Sequence, residues 1–338
     1  MSGEELKHSH SCQCGNDHER EGGDDEGDRE FNDGPLTELI TVRDWLRYAV
    51  TRFNRAGIFC GHGVDNSYDE AVWLILATLA LPPERLEPFL DACIPGDERP
   101  ALYKNIEYRA SERIPTAYLV NEAWLSGYRF YVDERVIVPR SYFAELLEDD
   151  LAPWVENPEK LTDVLDLCTG SGCLAVLLAD AFSNANIVAA DLSPEALAVA
   201  QRNVSDYGLD ERVELVQSDV FDALDGRLFD LIVCNPPYVT AKAMAALPPE
   251  YRHEPMLALS AGEDGLAVVR RLLAGAANHL KPGGILMVEV GHNARLVENV
   301  RPDLSLTWLS TRDGVDGVFL LRREDLPDLP DAAANPEA

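Results

Sequence analysis

The sequence predicts an α/β protein with a mostly parallel sheet, preceded by a small helical domain and a linking β-hairpin. From residue 163 onward short apolar runs alternate with helical segments, and such alternation is typical of parallel sheets. Before residue 120 apolar residues recur at three- and four-residue steps, which indicates helices. The chain has 338 residues, enough for two packed units.

Five regions follow from these patterns. We expect a disordered acidic leader over residues 1–35, a helical domain over 36–120, a hairpin linker over 121–140, an α/β domain over 141–323 and a disordered tail over 324–338. The leader is too polar and glycine-rich to bury the apolar surface that would offset its ordering entropy. It also holds five potential metal ligands, His8, His10, Cys12, Cys14 and His18. Their spacing matches no closed structural site, and we predict no functional metal site.

The composition argues against several classes of protein. A formal net charge of -30 repels nucleic-acid phosphates and attracts basic partners, although adaptation to salt would produce the same acidity. The longest apolar run, residues 71–81, is too short to span a bilayer, and the amino terminus lacks a secretory signal. Seven cysteines without framework spacing indicate reduced thiols. We therefore expect a cytoplasmic protein with no membrane partner and no stable nucleic-acid partner.

Helices and a hairpin are predicted for the first part of the chain. One apolar helical face covers residues 42–53, and further helices are expected over 69–81, 84–92 and 100–112. The predicted hairpin pairs residues 128–132 with 136–138, because apolar and polar residues alternate there, and Asp133-Glu134 is its expected turn. Pro139 would end the second strand and lead into a helix from Ser141 through Leu151.

The α/β domain is expected to contain seven strands. They are predicted over residues 164–167, 187–191, 213–216, 231–234 and 285–290, with a final pair around 304–309 and 317–321. Helices are expected over residues 173–181, 194–207 and 265–280. The final pair should supply an antiparallel strand at the end of the sheet.

Turns with glycines or acids follow the first three strands, where open α/β sheets bind their ligands. Asp166 leads into a loop whose glycines, Gly170 and Gly172, permit a tight turn close to a ligand. Asp191 lies about twenty residues further on, which suits an acid that grips ribose hydroxyls. Asp219 can accept a hydrogen bond from an adenine amino group. The loop lacks the G-x-G-x-x-G spacing of nicotinamide enzymes, and its acid suits an ammonium group, so we predict S-adenosylmethionine as cofactor.

The predicted catalytic residues are Asn235, Pro236, Pro237 and Tyr238, which directly follow the fourth strand. The two prolines fix the backbone, and the residue before a proline is forced into an extended conformation. The Asn235 side-chain oxygen and the Pro236 carbonyl can accept both hydrogens of a planar amino group. This increases electron density on its nitrogen and aligns it with a sulfonium methyl. Tyr238 can pack its face against the target group.

At these residues the sequence resembles the N5-glutamine methyltransferases that act on release factors and ribosomal proteins. The resemblance covers nearly all of residues 40–322, including His253-Glu254-Pro255 and Glu289-Val290-Gly291. It implies a seven-stranded, Rossmann-like class I methyltransferase sheet, with a methyltransferase domain over residues 141–323 and a helical domain that recognises the protein partner. The stretch from His253 is expected to close over the cofactor and shape the substrate pocket. The resemblance implies that cofactor is bound by Asp166, Cys168, Thr169, Gly170, Ser171, Gly172, Asp191, Asp219 and Val220.

Two motifs are similar to one branch of this family, which modifies the third protein of the large (50S) ribosomal subunit. Release-factor enzymes usually have Pro-Arg-Pro-Glu-Thr after the hairpin, whereas this chain has Val138-Pro139-Arg140-Ser141. The loop Asp166–Cys173 also lacks the extra glycine of the other version. Tyr142-Phe143 departs from the branch, where proline and an aliphatic residue are expected, and the acidic leader has no counterpart in it.

Three alternatives remain. The chain could methylate a glutamine of a release factor instead. Adenine-N6 methyltransferases of nucleic acids share the tetrapeptide, but they need basic surfaces that this acidic chain lacks. A non-catalytic ribosome-assembly factor with a dead cofactor fold would have no use for an intact tetrapeptide or for acids at every strand end.

Overall fold

The computed structural model describes residues 34–312 and 314–326. The potential metal ligands of the leader and the tail from residue 327 lie outside these ranges. Helix α1 (Gly34–Glu38) is the first described element, so the last two residues of the predicted leader are helical. At the other end a 3-10 turn (Arg323–Asp325) occupies the first residues of the predicted tail.

The amino-terminal bundle, residues 34–120, is helical as predicted. After α1 it contains α2 (Val42–Ala56), α3 (Ser67–Thr78), α4 (Arg99–Glu107), a π-helical turn (Tyr108–Glu112) and α5 (Thr116–Val120). The helix expected over residues 84–92 is wrong, because only a 3-10 turn (Glu87–Phe89) forms there. Pro88 explains the difference, since it lacks a backbone donor and disfavours the helical conformation of the residue before it.

Helix α2 shows how local sequence sets the ends of an element. Thr41 Oγ1 accepts a hydrogen bond from Asp44 N (3.2 Å), and the Asp44 carboxylate accepts one from Thr41 N (2.9 Å). This capping box satisfies amides that would otherwise lack partners. The helix ends at Gly57, which has a left-handed φ of 60°. Between these ends Trp45 and Phe53 are completely buried in the core of the bundle.

A hairpin forms, but the prediction that residues 128–132 pair with 136–138 is wrong. Strand β1 (Ala123–Leu125) pairs with β2 (Tyr128–Phe130) in antiparallel fashion around Ser126-Gly127. Both turn residues have positive φ, 47° and 78°, as a two-residue type I′ turn requires. The turn expected at Asp133 does form, since Val136 N donates to the Asp133 carbonyl (3.1 Å), but residues 136–138 form no strand.

The valines of the failed strand alternate for another reason. Val132, Val136 and Val138 are almost fully buried in a small cluster that also contains Ala196 and Val199. Alternate apolar residues therefore fit an irregular segment packed on a helix as well as they fit a paired strand.

The α/β prediction is confirmed. After the hairpin the elements are α6 (Phe143–Leu146), β3 (Asp163–Leu167), α7 (Cys173–Ala181), β4 (Asn186–Asp191), α8 (Pro194–Asp206), β5 (Val213–Gln217), β6 (Phe229–Cys234), α9 (Ala241–Met244), α10 (Met256–Leu259), α11 (Ala267–Gly275), β7 (Leu280–Glu289), α12 (Ala294–Val300), β8 (Thr307–Ser310) and β9 (Asp316–Arg322). The helix expected to reach Leu151 ends instead at α6 and a following 3-10 turn.

The large sheet has seven strands within the described ranges, in the order β5-β4-β3-β6-β7-β9-β8. The first five strands of this order are parallel, and β9 runs antiparallel between β7 and β8 rather than at the sheet edge. The strand order reverses between β3 and β6, and ligands bind at such a switch point. In β3, Leu167 is in register with Ala190 of β4 and Cys234 of β6, so the three strands end at one edge.

Both faces of the sheet are buried, as its continuous apolar runs predict. Val164 and Leu231 contribute to a core beneath α6 and α7, whereas Leu165 and Ile232 contribute to a core beneath α11. A buried ion cluster joins this sheet assembly to the amino-terminal bundle. Arg109, only 1% exposed, bonds to Glu70 of α3 (2.5 Å) and to Glu250 of the α/β part (3.1 Å).

Across residues 34–312 and 314–326, no helix combines the length and the apolar character needed to span a membrane.

Candidate active site

A cleft of about 920 Å³ opens beyond the carboxyl ends of β3, β4, β5 and β6. Predicted site residues from all four strand ends line it: Cys168, Gly170, Asp191, Asp219, Val220, Asn235 and Pro237. The other predicted residues belong to the same turns but do not line the cleft: Asp166, Thr169, Ser171, Gly172, Pro236 and Tyr238.

The glycine loop after β3 is held in an unusual conformation. Cys168, Gly170 and Gly172 have positive φ values of 60°, 56° and 77°. At Gly172 a Cβ atom would lie 3.0 Å from the Cβ of Ala200 in α8. Only glycine therefore allows the loop to pack this closely on the helix.

Asp191 connects this loop to the end of β4. Its Oδ2 accepts a hydrogen bond from Gly170 N (2.9 Å), and its Oδ1 accepts one from Ser193 N (2.9 Å). Each carboxylate oxygen can accept a further bond, and Asp191 lines the cleft, so ribose hydroxyls fit this carboxylate. Burial raises its pKa above the ordinary value.

Asp166 has a buried oxygen without a partner. The residue is 0% exposed, its Oδ2 accepts from Thr169 Oγ1 (2.5 Å), and its Oδ1 bonds to nothing among the described residues. Burial raises its pKa to about 7. An orphaned buried carboxylate oxygen is costly unless a ligand satisfies it. The ammonium group of a methionine tail would supply the missing donor and charge.

Asp219 lies at the third strand end. Its Oδ1 accepts from Arg271 Nη1 (2.6 Å), and its side chain is partly exposed at the cleft. Leu192, Val220 and Val268 supply apolar wall beside it. Asp191 and this wall line the cleft and suit the ribose and the adenine of S-adenosylmethionine, whereas Asp166 is fully buried and does not line it.

Asn235 is oriented by the backbone of a distant segment. Its Nδ2 donates to the carbonyl of Arg140 (3.3 Å). Asn235 lines the cleft, and because this bond engages its amide nitrogen, Oδ1 is the end of the amide suited to accept a further hydrogen bond. Asn235 can therefore take a hydrogen from an incoming amino group.

Tyr238 differs from the expectation, because its ring does not line the cleft. Its hydroxyl donates to Glu289 Oε1 (3.3 Å), and its carbonyl accepts from Asn293 Nδ2 (2.6 Å). The ring packs so closely on Gly291 that a Cβ atom there would lie 2.9 Å from it. Here Tyr238 braces the tetrapeptide against the end of β7.

Two buried glutamates beside the tetrapeptide were not predicted as site residues. Glu254, 3% exposed, accepts a forked pair of bonds from Arg140, with N–O distances of 2.5 and 2.6 Å. Burial opposes its charge, but the imidazole of His62, whose Nε2 lies 3.6 Å from Oε1, and the bonds from Arg140 hold the pKa of Glu254 at about 2. Only the family resemblance pointed to Glu254, because no local spacing signals a partner far away in the sequence.

Glu289 is the second of these residues, at the end of β7. It accepts bonds from Ser141 Oγ (2.5 Å) and Tyr142 N (3.0 Å) as well as from Tyr238. Burial raises its pKa to about 7. The segment from Arg140 to Tyr142 is thus clamped by one carboxylate on each side.

The sheet order, the cleft at its switch point and the donor chemistry of the cleft identify a Rossmann-like class I methyltransferase, whose methyl donor is S-adenosylmethionine. The family model of the methyltransferase small domain matches residues 150–247.

Curated relatives narrow this class to one family. A protein of Bordetella pertussis named ribosomal protein uL3 glutamine methyltransferase is 53% identical, covering 86% of this chain and 97% of that protein. Proteins of the same name from Neisseria gonorrhoeae (54% identical, 86% and 96% covered) and Burkholderia pseudomallei (52% identical, 86% and 97% covered) are similarly related. The chain belongs to the ribosomal protein uL3 glutamine methyltransferase family.

Proposed function

We propose that this protein methylates the side-chain amide nitrogen of a glutamine in ribosomal protein uL3, the third protein of the large subunit. The observation that carries the proposal is the place of Asn235, which lines a cleft suited to S-adenosylmethionine and whose amide nitrogen donates to the Arg140 carbonyl. The names of the relatives specify a glutamine of uL3 as the substrate, and this supports the choice of both the residue and the protein.

The chemical difficulty is the weak nucleophile. An amide nitrogen shares its lone pair with the carbonyl, so it attacks carbon slowly. Asn235 Oδ1 and the Pro236 carbonyl accept its two hydrogens, which increases electron density on nitrogen and fixes its direction of attack. The bound cofactor supplies an electrophilic sulfonium methyl. Transfer of that methyl to the nitrogen would release one amide proton to water, so these residues need to hold and orient the amide but not to act as a strong base.

The remaining site residues have binding roles in this proposal. Asp191 holds the ribose, Asp166 the ammonium group and Asp219 the adenine amino group. The backbone of Cys168, Thr169, Gly170, Ser171 and Gly172 forms the turn that encloses the tail, and Val220 contacts the adenine ring. Pro237 keeps the tetrapeptide rigid at the cleft wall.

The domain division predicted from sequence belongs to the same proposal. Residues 36–120 dock the partner, residues 121–140 link the parts, and residues 141–323 carry out the transfer. A net charge of -30 favours a basic partner such as a ribosomal RNA-binding protein and disfavours stable contact with nucleic acid itself. Such a substrate supports a cytoplasmic location for the enzyme.

The test incubates the purified protein and methyl-labelled cofactor separately with uL3, a release factor and an adenine-containing oligonucleotide. We expect label on uL3, at a glutamine that peptide mass spectrometry identifies, and little on the other two. Label on the release factor alone would overturn the substrate, and label on the oligonucleotide alone would overturn the reaction on protein. The variant Asn235→Ala serves as the negative control.

A further inference from the structure

We propose that Glu254 is a positioning residue for methyl transfer, which sets the orientation of Asn235 through Arg140. This inference rests on the proposed function, because it concerns the same amide-holding site.

The first step is the grip of Glu254 on Arg140. Two parallel bonds, Nη1 to Oε1 (2.5 Å) and Nη2 to Oε2 (2.6 Å), fix the plane of the guanidinium group as well as its position. Glu254 Oε1 also accepts from Val138 N (3.0 Å), and Arg140 Nη1 donates to the Val138 carbonyl (3.1 Å). One buried carboxylate therefore fixes both the side chain of residue 140 and the backbone two residues before it.

The second step leads from Arg140 to the reacting group. The Arg140 carbonyl accepts from Asn235 Nδ2 (3.3 Å). An asparagine amide has two ends of nearly equal size and opposite hydrogen-bonding character. Without this carbonyl the side-chain amide can rotate by about 180° and direct its NH2 group at the NH2 group of the substrate. Because both groups are donors, that orientation cannot form the hydrogen bond. The carbonyl of Arg140 thus selects the productive end of Asn235.

A matched residue separates positioning from simple structural support. Glu250, four positions earlier on the same segment, is 0% exposed. Its Oε1 accepts from Phe59 N (2.9 Å), Arg109 (3.1 Å) and Arg113 (3.4 Å). In the described part of the chain these contacts lead into the amino-terminal bundle, not towards Asn235. Both glutamates are buried and paired with arginine, but only Glu254 connects to the tetrapeptide.

The experiment compares Glu254→Gln with Glu250→Gln in the full-length protein, using uL3 as substrate. Glutamine offers one acceptor oxygen instead of two, so Glu254→Gln breaks the fork. We expect kcat to fall about 10- to 100-fold, a range typical of lost transition-state positioning. The KM for uL3 and the Kd for S-adenosylmethionine should change less than about twofold. Glu250→Gln should lower the melting temperature and leave kcat unchanged.

The variant Arg140→Lys supplies the conservative comparison. Lysine keeps the charge but forms a point contact instead of a fork, so its kcat should lie between wild type and Glu254→Gln. Equal kcat values for Glu254→Gln and wild type, or equal losses in Glu254→Gln and Glu250→Gln, would overturn the positioning role.

A double-mutant cycle tests whether Glu254 acts through Asn235. In an Asn235→Ala background, Glu254→Gln should cost no further activity, because the group that it positions is gone. If Glu254→Gln lowered kcat by the same factor in both backgrounds, Glu254 would not act through Asn235. Failure of the proposed function is distinguishable, because wild type would then leave uL3 unlabelled. The positioning role is judged separately, by the ratio of variant to wild-type kcat on whichever substrate wild type labels.

Discussion

Asp191 at the end of β4 accepts a hydrogen bond from the backbone nitrogen of Gly170 across 2.9 Å, so the acid of one strand holds the glycine loop of its neighbour. In the proposed complex the same carboxylate binds the ribose. The loop and the ribose-binding group therefore cannot move independently.

Replacing Asp191 should weaken cofactor binding through both contacts. For Asp191→Ala we expect the Kd for S-adenosylmethionine to rise about 10- to 100-fold, as the loss of one or two charge-assisted hydrogen bonds predicts. The Kd of Asp191→Asn should lie between those of wild type and Asp191→Ala, since its one side-chain oxygen can replace only part of the carboxylate. Isothermal titration calorimetry measures the effect. Asp206→Asn, which changes an exposed acid on α8, should match wild type.

Asn235→Ala should nearly abolish turnover and spare cofactor binding. We expect kcat to fall at least about 100-fold, comparable to the loss of one oriented hydrogen-bond partner in other active sites. The control Asn184→Ala makes the same change at an exposed residue whose amide also donates to a backbone carbonyl, that of Glu159. A variant at position 235 that kept most of its activity would contradict the amide-holding mechanism.

Gly172→Ala should destabilise the protein more than Gly208→Ala does. Both glycines have positive φ, 77° and 66°, so an alanine costs about 1–2 kcal/mol of backbone strain at each. At Gly172 the new Cβ also meets Ala200 at 3.0 Å, whereas at Gly208 nothing lies within 4 Å. Overpacking adds about 1–3 kcal/mol. Equal losses in urea unfolding would show that the loop does not pack tightly on α8.

Glu289 should make the protein less stable as pH rises through neutrality. Burial raises its pKa to about 7 in the folded protein, from 4.5 when exposed, so the folded state binds the proton more tightly. The stability that this provides is fully present below about pH 4.5 and is lost as pH rises through about 7. Relative to Glu289→Gln, wild type should lose on the order of 3 kcal/mol between these limits.

Unfolding free energies of wild type and Glu289→Gln, measured from pH 4.5 to pH 8, test this prediction. Burial also raises the pKa of Asp166, to about 7, so part of the pH dependence should persist in Glu289→Gln and should become smaller when Asp166→Asn is added. Parallel curves for wild type and Glu289→Gln would contradict the raised pKa of Glu289.

The sheet could be predicted from sequence because its chemistry is local. A strand buried on both faces needs a continuous apolar run, as in β3 and β6, and the ligand-binding turns follow directly at the strand ends. The local sequence is therefore enough to assign Asp191 and Asn235 to one edge of the sheet.

The hairpin and the helix predicted over residues 84–92 show where local patterns conflict. The Ser126-Gly127 dipeptide is the turn of the observed hairpin, whereas the alternation of valines over residues 132–138 predicts a strand that does not form. In the protein that alternation serves packing in an irregular segment. Pro88 likewise indicates that residues 84–92 do not form a regular helix, because proline lacks a backbone donor.

The glutamates behind the tetrapeptide could not have been predicted from spacing. Glu254 bonds to Arg140 across 114 positions of sequence, and Glu289 bonds to Ser141 across 148. Such pairs depend on the final topology, since a buried carboxylate takes whichever donor the fold brings to it.

The ion cluster around Arg109 has a consequence for sequence divergence. The guanidinium of Arg109 lies between two buried carboxylates, Glu70 and Glu250, and Glu250 is also bonded to the partly exposed Arg113. Loss of Arg109 would leave two buried carboxylates with only Arg113 beside Glu250, and loss of one acid would alter the charge balance of the cluster. Among homologues these three positions should therefore covary or stay invariant as a set, although they belong to parts of the chain that lie far apart.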